Sequence, residues 1–473
     1  MGSSLRERLA RLQRVPEDEP AGRDQPGPDL ERLERTLLGA SAEELPLRDR
    51  LQRLVSVAAG GRGAWPRPED AGAGVRVGPG SEIEEVVQGL RVENERGEFF
   101  LVETDVHLDS SHGEIPLSRC RALVPESVAV LSGEPELRSF PLEEAVFLDT
   151  ETTGLAGGTG TAAFLVGLGW VDGERFRVRQ YFMRDYHEEA ALLRGLAQQL
   201  SDCCSLVTFN GRMFDVPLLE SRCRLNRERF PLHGIPHLDL LHPARRLWKA
   251  RLESCRLQSL ERELLGFERR GDVPGEEIPR LYFDYVHRRD ARALARVFEH
   301  NRVDIVSLAA LAVYACQWVE QASAEDPRDI LSLARVFERA GLAERSEAEY
   351  RRALATRAEQ ARLPALLALA ARAKRSGDQA AALLFWEEAA QAGDARALRE
   401  LSMHYEHRRR DYATALAIVE RGRRRDAGRE AAHDRRFVRD FERRRARLLA
   451  KLARASRSRP EGSPRGPGSP RAS

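Results

Sequence analysis

Lysine is almost missing from this 473-residue chain: only Lys249, Lys374 and Lys451 are lysine among 76 basic residues, and the rest are arginine. A bias spread that evenly can reflect base composition, so no function is drawn from it. Cysteine is scarce as well. Cys120, Cys203, Cys204, Cys223, Cys255 and Cys316 form no CxxC or other zinc spacing, which argues against a thiolate metal site and a disulfide framework. The expected compartment is therefore a reducing one, the cytoplasm. No run of eighteen apolar residues is present, so no membrane partner is expected, and the first residues lack the apolar core of a signal peptide. Met1-Gly2 resembles the start of a myristoylation signal, but Arg6 stands where Ser or Thr is required. The Gly-rich stretch from Gly154 to Gly160 has no GK[ST] and so does not read as a nucleoside-triphosphate cradle; a turn where backbone approaches a ligand fits it better.

What is present is enough chain for two or three folded units, with 42% hydrophobic and 32% charged residues. The net charge of +2 averages over unlike parts. Residues 401–473 hold 21 Lys and Arg against 9 Asp and Glu, a local +12 that leaves −10 for the rest. A basic end on an acidic body suits a nucleic-acid-binding tail, and equally a solvated Arg-rich helix.

The pattern divides the chain into a flexible N-terminal region with short helices (1–80), a β-rich lead-in (81–140), a mixed α/β region (141–322), helical repeats (323–455) and a disordered tail (456–473). In the lead-in, Glu98–Val102 and Val128–Leu131 read as strands. Glu144–Thr150, Phe164–Val171, Arg175–Met183 and Ser205–Phe209 follow as strands, with Asp172-Gly173 marking a hairpin. Strands followed by alternating helix and strand predict a mixed sheet with helices packed on it, α/β in class. Beyond Asp326, Gly341, Leu342 and Glu349–Ala353 recur as Gly377, Asp378 and Phe385–Ala389, and a weaker copy centres on Tyr412–Arg421. A helix, a Gly turn and a helix at this period resemble the tetratricopeptide repeat, which implies a protein partner for that region.

Three segments carry chemistry. In Phe147-Leu148-Asp149-Thr150-Glu151-Thr152, an apolar strand ends in two acids at i and i+2, which share a face. Such a pair either holds a divalent cation, has a raised pKa, or is a solvated strand end. In Phe209-Asn210-Gly211-Arg212-Met213-Phe214-Asp215, a strand exit meets a helix start, where Asp215 could serve merely as an N-cap. His300 and Asp304 stand one turn apart on a helix. Together, Asp149, Glu151, Asp215 and Asp304 supply the four carboxylates that two-metal phosphoryl transfer uses, with His300 as the base that prepares water. All-oxygen ligands suit two divalent cations, Mg²⁺ or Mn²⁺.

The strings DTETTGL, NGRMFDVPLL and HNRVD, in this order, resemble the three exonuclease motifs of the DEDD superfamily on a ribonuclease H-like fold. The segment HLDLLHPARRLW (His237–Trp248), Asp272-Val273-Pro274-Gly275 and Ile278-Pro279 are similar to a bacterial branch, the YprB-like ribonuclease H-like proteins, in which a tetratricopeptide-like region follows. The resemblance covers about residues 80–320. It implies a ribonuclease H-like sheet flanked by helices and a 3′-5′ exonuclease acting on DNA or RNA. His300 departs from the family, with three residues before Asp304 where the histidine type has four, so Asn301 competes with it for the water. Substrate contacts are expected from Thr152, Asn210, Phe214, Asn301 and Arg245.

His237 and Asp239 are read as supports rather than ligands. Phe209, Phe214 and Trp248 could stack on a base, core packing being the better reading of the first two. Arg245, Arg246, Lys249 and Arg251 form either a phosphate track or a solvated helix face. The competing functions are a catalytically inactive scaffold or nucleic-acid-binding protein, which would have lost one of the acids, and an endonuclease on the same fold.

Overall fold

The protein is described from a computed structural model over residues 81–122, 124–154, 160–426 and 432–457. The features expected over 1–80, at 155–159 and beyond residue 457 lie outside the described residues. The strands are β1 (Leu90–Asn94), β2 (Gly97–His107), β3 (Ser111–His112), β4 (Ile115–Pro116), β5 (Val146–Thr152), β6 (Ala163–Asp172), β7 (Arg175–Phe182), β8 (Leu206–Thr208) and β9 (His237–Asp239). Seven of them form one mixed sheet in the order β1-β2-β7-β6-β5-β8-β9, and β3 pairs with β4 apart from it. The expected hairpin joins β6 and β7, with Asp172 opposite Arg175 and Gly173 at φ +53°. β1 and β2 are no separate lead-in, because β2 pairs with β7 from Phe100 opposite Phe182 to His107 opposite Arg175.

The expected strand at Val128–Leu131 is instead the middle of a helix, α1 (Pro125–Ser132). Pro125 starts it and Gly133, at φ +73°, ends it; these caps outweigh the β-branched residues between them. The other longer helices before the repeats are α2 (Glu189–Gln199), α3 (Asp215–Leu225), α4 (Leu241–Trp248), α5 (Ile278–Arg288) and α6 (Leu294–Gln321).

Strand direction gathers the motifs. β5 runs parallel to β8, with Phe147 opposite Val207, and β8 runs parallel to β9, with Thr208 opposite Asp239. Parallel neighbours deliver their carboxyl ends to one edge of the sheet, so the acids after Leu148 and the turn after Thr208 emerge side by side. Helix α6 then crosses this edge. A Cβ at Gly167 of β6 would lie 2.3 Å from Asn301 Oδ1, and one at Gly169 would lie 2.4 Å from Ile305 Cγ2. Two glycines on one face of β6 thus let a helix turn, Asn301 to Ile305, settle directly on the backbone. Burial explains the composition of α6: the stretch Ala291–Gln321 is apolar enough to cross a membrane, yet 78% of its most apolar window is inside the fold.

The repeats follow as α7 (Pro327–Arg339), α8 (Ala343–Ala355), α9 (Glu359–Ser376), α10 (Gln379–Gln391), α11 (Ala395–His404), α12 (Tyr412–Asp426) and α13 (Ala432–Arg457). Each packs on the next, and left-handed Gly341 and Gly377 separate the helices where the repeat was read. The first repeat shares a core with the α/β layer: Trp248 and Trp318 meet Ile330, Leu333 and Phe337 in one cluster. Much of the basic C-terminal charge is used internally. Arg444, Arg447 and Lys451 surround Glu406, while Arg423 and Arg445 bond to Glu420.

Candidate active site

Asp149 and Glu151 project from the end of β5, Asp215 opens α3, and His300 and Asp304 come from α6. Burial, and then repulsion from Asp304, Glu151 and Asp215, pushes the Asp149 carboxyl well above the ordinary carboxylate range. Burial together with the charges of Asp304 and Asp215 does the same to Glu151. Asp215 is raised to about 6, chiefly by burial, against the pull of the Thr150 hydroxyl that donates to it. Asp304 is raised by burial, opposed by Arg269 and His300. Asp149 therefore senses the charge of the other three expected acids, and Glu151 that of Asp304 and Asp215.

The imidazole of His300 is 8% exposed and stands among them. Its Nε2 lies 3.5 Å from Asp304 Oδ2 and 3.9 Å from Glu151 Oε1. Its Nδ1 lies 2.7 Å from Asp272 Oδ1. A carboxylate accepts, so this bond assigns the Nδ1 proton to Asp272 and turns the Nε2 lone pair toward the acids. Burial alone would raise Asp272; the bond and charge of His300, with Arg269, hold it below the usual range instead. Glu151, His300 and Asp304 offer ligand atoms all within 4.8 Å of one another. Oxygen donors, one imidazole and crowded negative charge fit a hard divalent cation.

Asn301 is fully buried. Its amide nitrogen donates to Asp149 Oδ2 at 3.0 Å, and its oxygen accepts from Gln180 Nε2, also at 3.0 Å. Gln180, Gly167 and Asp149 are aligned across β7, β6 and β5, so Asn301 spans the gap that Gly167 leaves. Both its polar ends are satisfied within the protein; it positions Asp149 and has no free end for water or substrate.

A profile of the RNase_H superfamily matches residues 146–316, the span that holds every one of these acids. The uncharacterized protein YprB of Bacillus subtilis (strain 168) is 30% identical over 332 residues, which are 68% of this chain and 80% of that protein. The chain belongs to the YprB family of ribonuclease H-like proteins. Among solved structures, the family B DNA polymerase of the hyperthermophilic archaeon Pyrobaculum calidifontis is 16% identical, with a TM-score of 0.32, over 44% of this chain and 28% of its own.

Two residues that sequence reasoning missed complete the site of this YprB family member. Asp272 lies in the Asp-Val-Pro-Gly string noted above without a role. Arg269, largely buried, donates to Glu261 at 2.5 and 2.7 Å, to Asp272 at 3.3 Å and to Asp304. Burial disfavours its charge, but these carboxylates keep it protonated. It is a fixed cation that ties the 269–272 loop to the last acid. Nothing in its local sequence marks it.

Of the remaining expectations, Asp239 supports the turn, accepting from the backbone N–H groups of Asn210 at 2.8 Å and of Arg212 and Leu241 at 3.1 Å each. His237 Nε2 lies 2.8 Å from Thr208 Oγ1, and burial lowers its pKa to about 4. Asn210 takes φ +69° at the turn. Thr152 donates its hydroxyl to the Gly154 carbonyl at 2.9 Å. Phe214, expected as a substrate contact but with core packing as the better reading of its ring, is 52% exposed beside Asp215, next to the exposed Met213. Phe209 does pack against the core, and Trp248 is buried in it, which removes the indole as a stacking surface. The basic group is dispersed: Arg251 bonds Asp329 at 2.5 Å, Arg246 bonds the Ser132 carbonyl at 2.7 Å, and Arg245 and Lys249 are exposed.

Proposed function

We propose that this protein is a metal-dependent nuclease that hydrolyses phosphodiester bonds from the 3′ end of a nucleic acid. The observation that carries this reading is the convergence of four acidic side chains, two of which, Asp149 and Glu151, are driven up by burial and by the charges of the others, beside an imidazole oriented by Asp272. Unrelieved like charge in a protein interior is costly and is concentrated where function needs it. Asp149, Glu151, Asp215 and Asp304 would hold a pair of divalent cations, Mg²⁺ or Mn²⁺, whose chemistry there is to acidify the attacking water and offset charge on the leaving 3′ oxygen.

The chain's own side chains divide the remaining work. His300 takes the water proton on Nε2, and Asp272 fixes the tautomer that makes this possible. Asn301 holds Asp149 in one rotamer. Arg269 balances part of the negative charge on Asp304. The exposed Phe214 ring stacks on the terminal base, while the turn at Asn210 and the end of β5 at Thr152 border the strand and Arg245 contributes positive charge from α4. Asp149→Asn keeps an acceptor for Asn301 and removes one charge. It is expected to abolish Mn²⁺-dependent release of label from a 3′-end-labelled oligonucleotide; undiminished release would end the assignment.

A further inference from the structure

Away from the acids, three arginines meet where the α/β layer touches the first repeat helix. Arg212 lies in the β8–α3 turn, Arg246 on α4, and Arg339 ends α7. Helix α7 packs on α1 and α4, and the Arg251–Asp329 pair ties the two parts together. At the end of α1, Gly133 leaves a gap that two of the arginines enter. A Cβ there would stand 2.8 Å from Arg339 Cδ and 3.0 Å from Arg246 Nη1. The carboxylate on this turn, Glu134, is taken by Arg212 through two bonds of 2.8 Å. Arg246 gives its hydrogen bonds to the carbonyls of Ser132 and His242, and Arg339 is exposed with no ion-pair partner among the described residues. Three cations thus share one anion.

Like charges drawn together repel, and the strain registers in Arg246. Burial, the nearby Arg339 and Arg212 all push its pKa down, with Glu134 opposing. Guanidinium groups gathered at a fixed turn, with donors to spare, match the geometry of a phosphate. The location is consistent with that use. Arg212 is three residues before Asp215, a backbone span of at most about 11 Å, and the exposed Met213 and Phe214 lie between them.

We propose that Arg246 and Arg339 form a phosphate-binding site for a nucleic-acid strand whose end lies at the acids, so that the first repeat helix completes the substrate track. The choice of strand rests on the nuclease reading; the site itself does not.

The test is the salt dependence of binding by full-length Asp149→Asn protein, followed by fluorescence anisotropy with a labelled single strand of about twenty nucleotides and with a dinucleotide. In that background, Arg246→Gln with Arg339→Gln should lower the slope of log affinity against log salt by about 1.4, or about 0.7 for each lost phosphate contact. Binding of the dinucleotide should not change. Arg339→Gln alone removes an exposed group with no ion-pair partner among the described residues and should account for about half of the loss, which keeps the test valid if the double variant disturbs the seam. An unchanged slope in Arg339→Gln overturns the proposal, as does a loss of affinity for polyglutamate with none for the oligonucleotide. If the unsubstituted enzyme cleaves nothing with Mn²⁺ while the slope still depends on Arg339, the phosphate site stands and the hydrolytic reading falls.

Discussion

The cluster around Glu406 in the repeats and the acids at the end of β5 treat negative charge in opposite ways. In the repeats, Glu406 is 2% exposed and is met by Arg444 at 3.4 Å, Arg447 at 2.7 Å and Lys451 at 2.9 Å. Burial would raise its pKa, but Arg447, Lys451 and the nearby His407 bring it down to about 2. In the α/β layer, buried Asp215 and partly buried Asp149 and Glu151 stand beside further acids, and all are driven up. One region uses ionic groups to fasten helices. The other keeps a local instability that a bound cation would relieve. Asp329 and Glu349 in the repeats are raised by burial too, yet each has an arginine partner, Arg251 and Arg352; it is the company of further acids, and not the direction of the shift alone, that sets the end of β5 apart.

The sharpest way to break this contrast is to remove the imidazole. His300→Ala is expected to slow turnover by about 10²–10⁴-fold, the usual cost of losing a general base; wild-type single-turnover rates would show that the proton goes elsewhere. Asp272→Asn should follow with a fall of roughly 10–100-fold, the range for a group that orients a working side chain, visible in kcat more than in KM. Asp215→Asn tests the instability itself. Its carboxyl titrates near 6 in the folded protein against an ordinary 3.8, so the wild type loses stability relative to the variant as pH rises from about 4 to about 6 and regains none above. At about 1.4 kcal/mol per unit, the variant should melt a few degrees higher in EDTA at neutral pH, and added Mn²⁺ should close the gap by raising the wild type. Glu406→Gln should do the reverse. Its depressed pKa contributes stability above about 4.5 that is lost as pH falls toward 2. Solvent around Arg447 and Lys451 screens the attraction, so the loss at neutral pH should be about 1–2 kcal/mol by urea unfolding. A gain instead would erase the distinction between the two clusters.

The acids were legible because each sits at a position whose geometry is local: alternate residues of a strand end, the first residue of a helix, one turn of another. The sheet was legible for the same reason, as β5 to β8 alternate or run apolar within a few residues. What stayed hidden depended on distant packing. Arg269 and Asp272 reach the site only because their loop is carried against α6. Joining β1 and β2 to the main sheet needs the β2–β7 pairing, across 80 residues from Leu101 to Tyr181. That Phe214 is exposed and Trp248 enclosed stayed hidden, since neither has a local pattern that distinguishes an exposed ring from an enclosed one. The strand misread at Val128–Leu131 shows short apolar runs yielding to their caps.

Gly167 contributes no reactive group, yet the placement of Asp149 depends on it: a methyl there would collide with Asn301 and lift α6 from β6. Every acid could then be retained while their convergence was lost. In comparing members of this family, position 167 merits inspection alongside the carboxylates, because one added carbon there could undo their arrangement with each acid still in its motif.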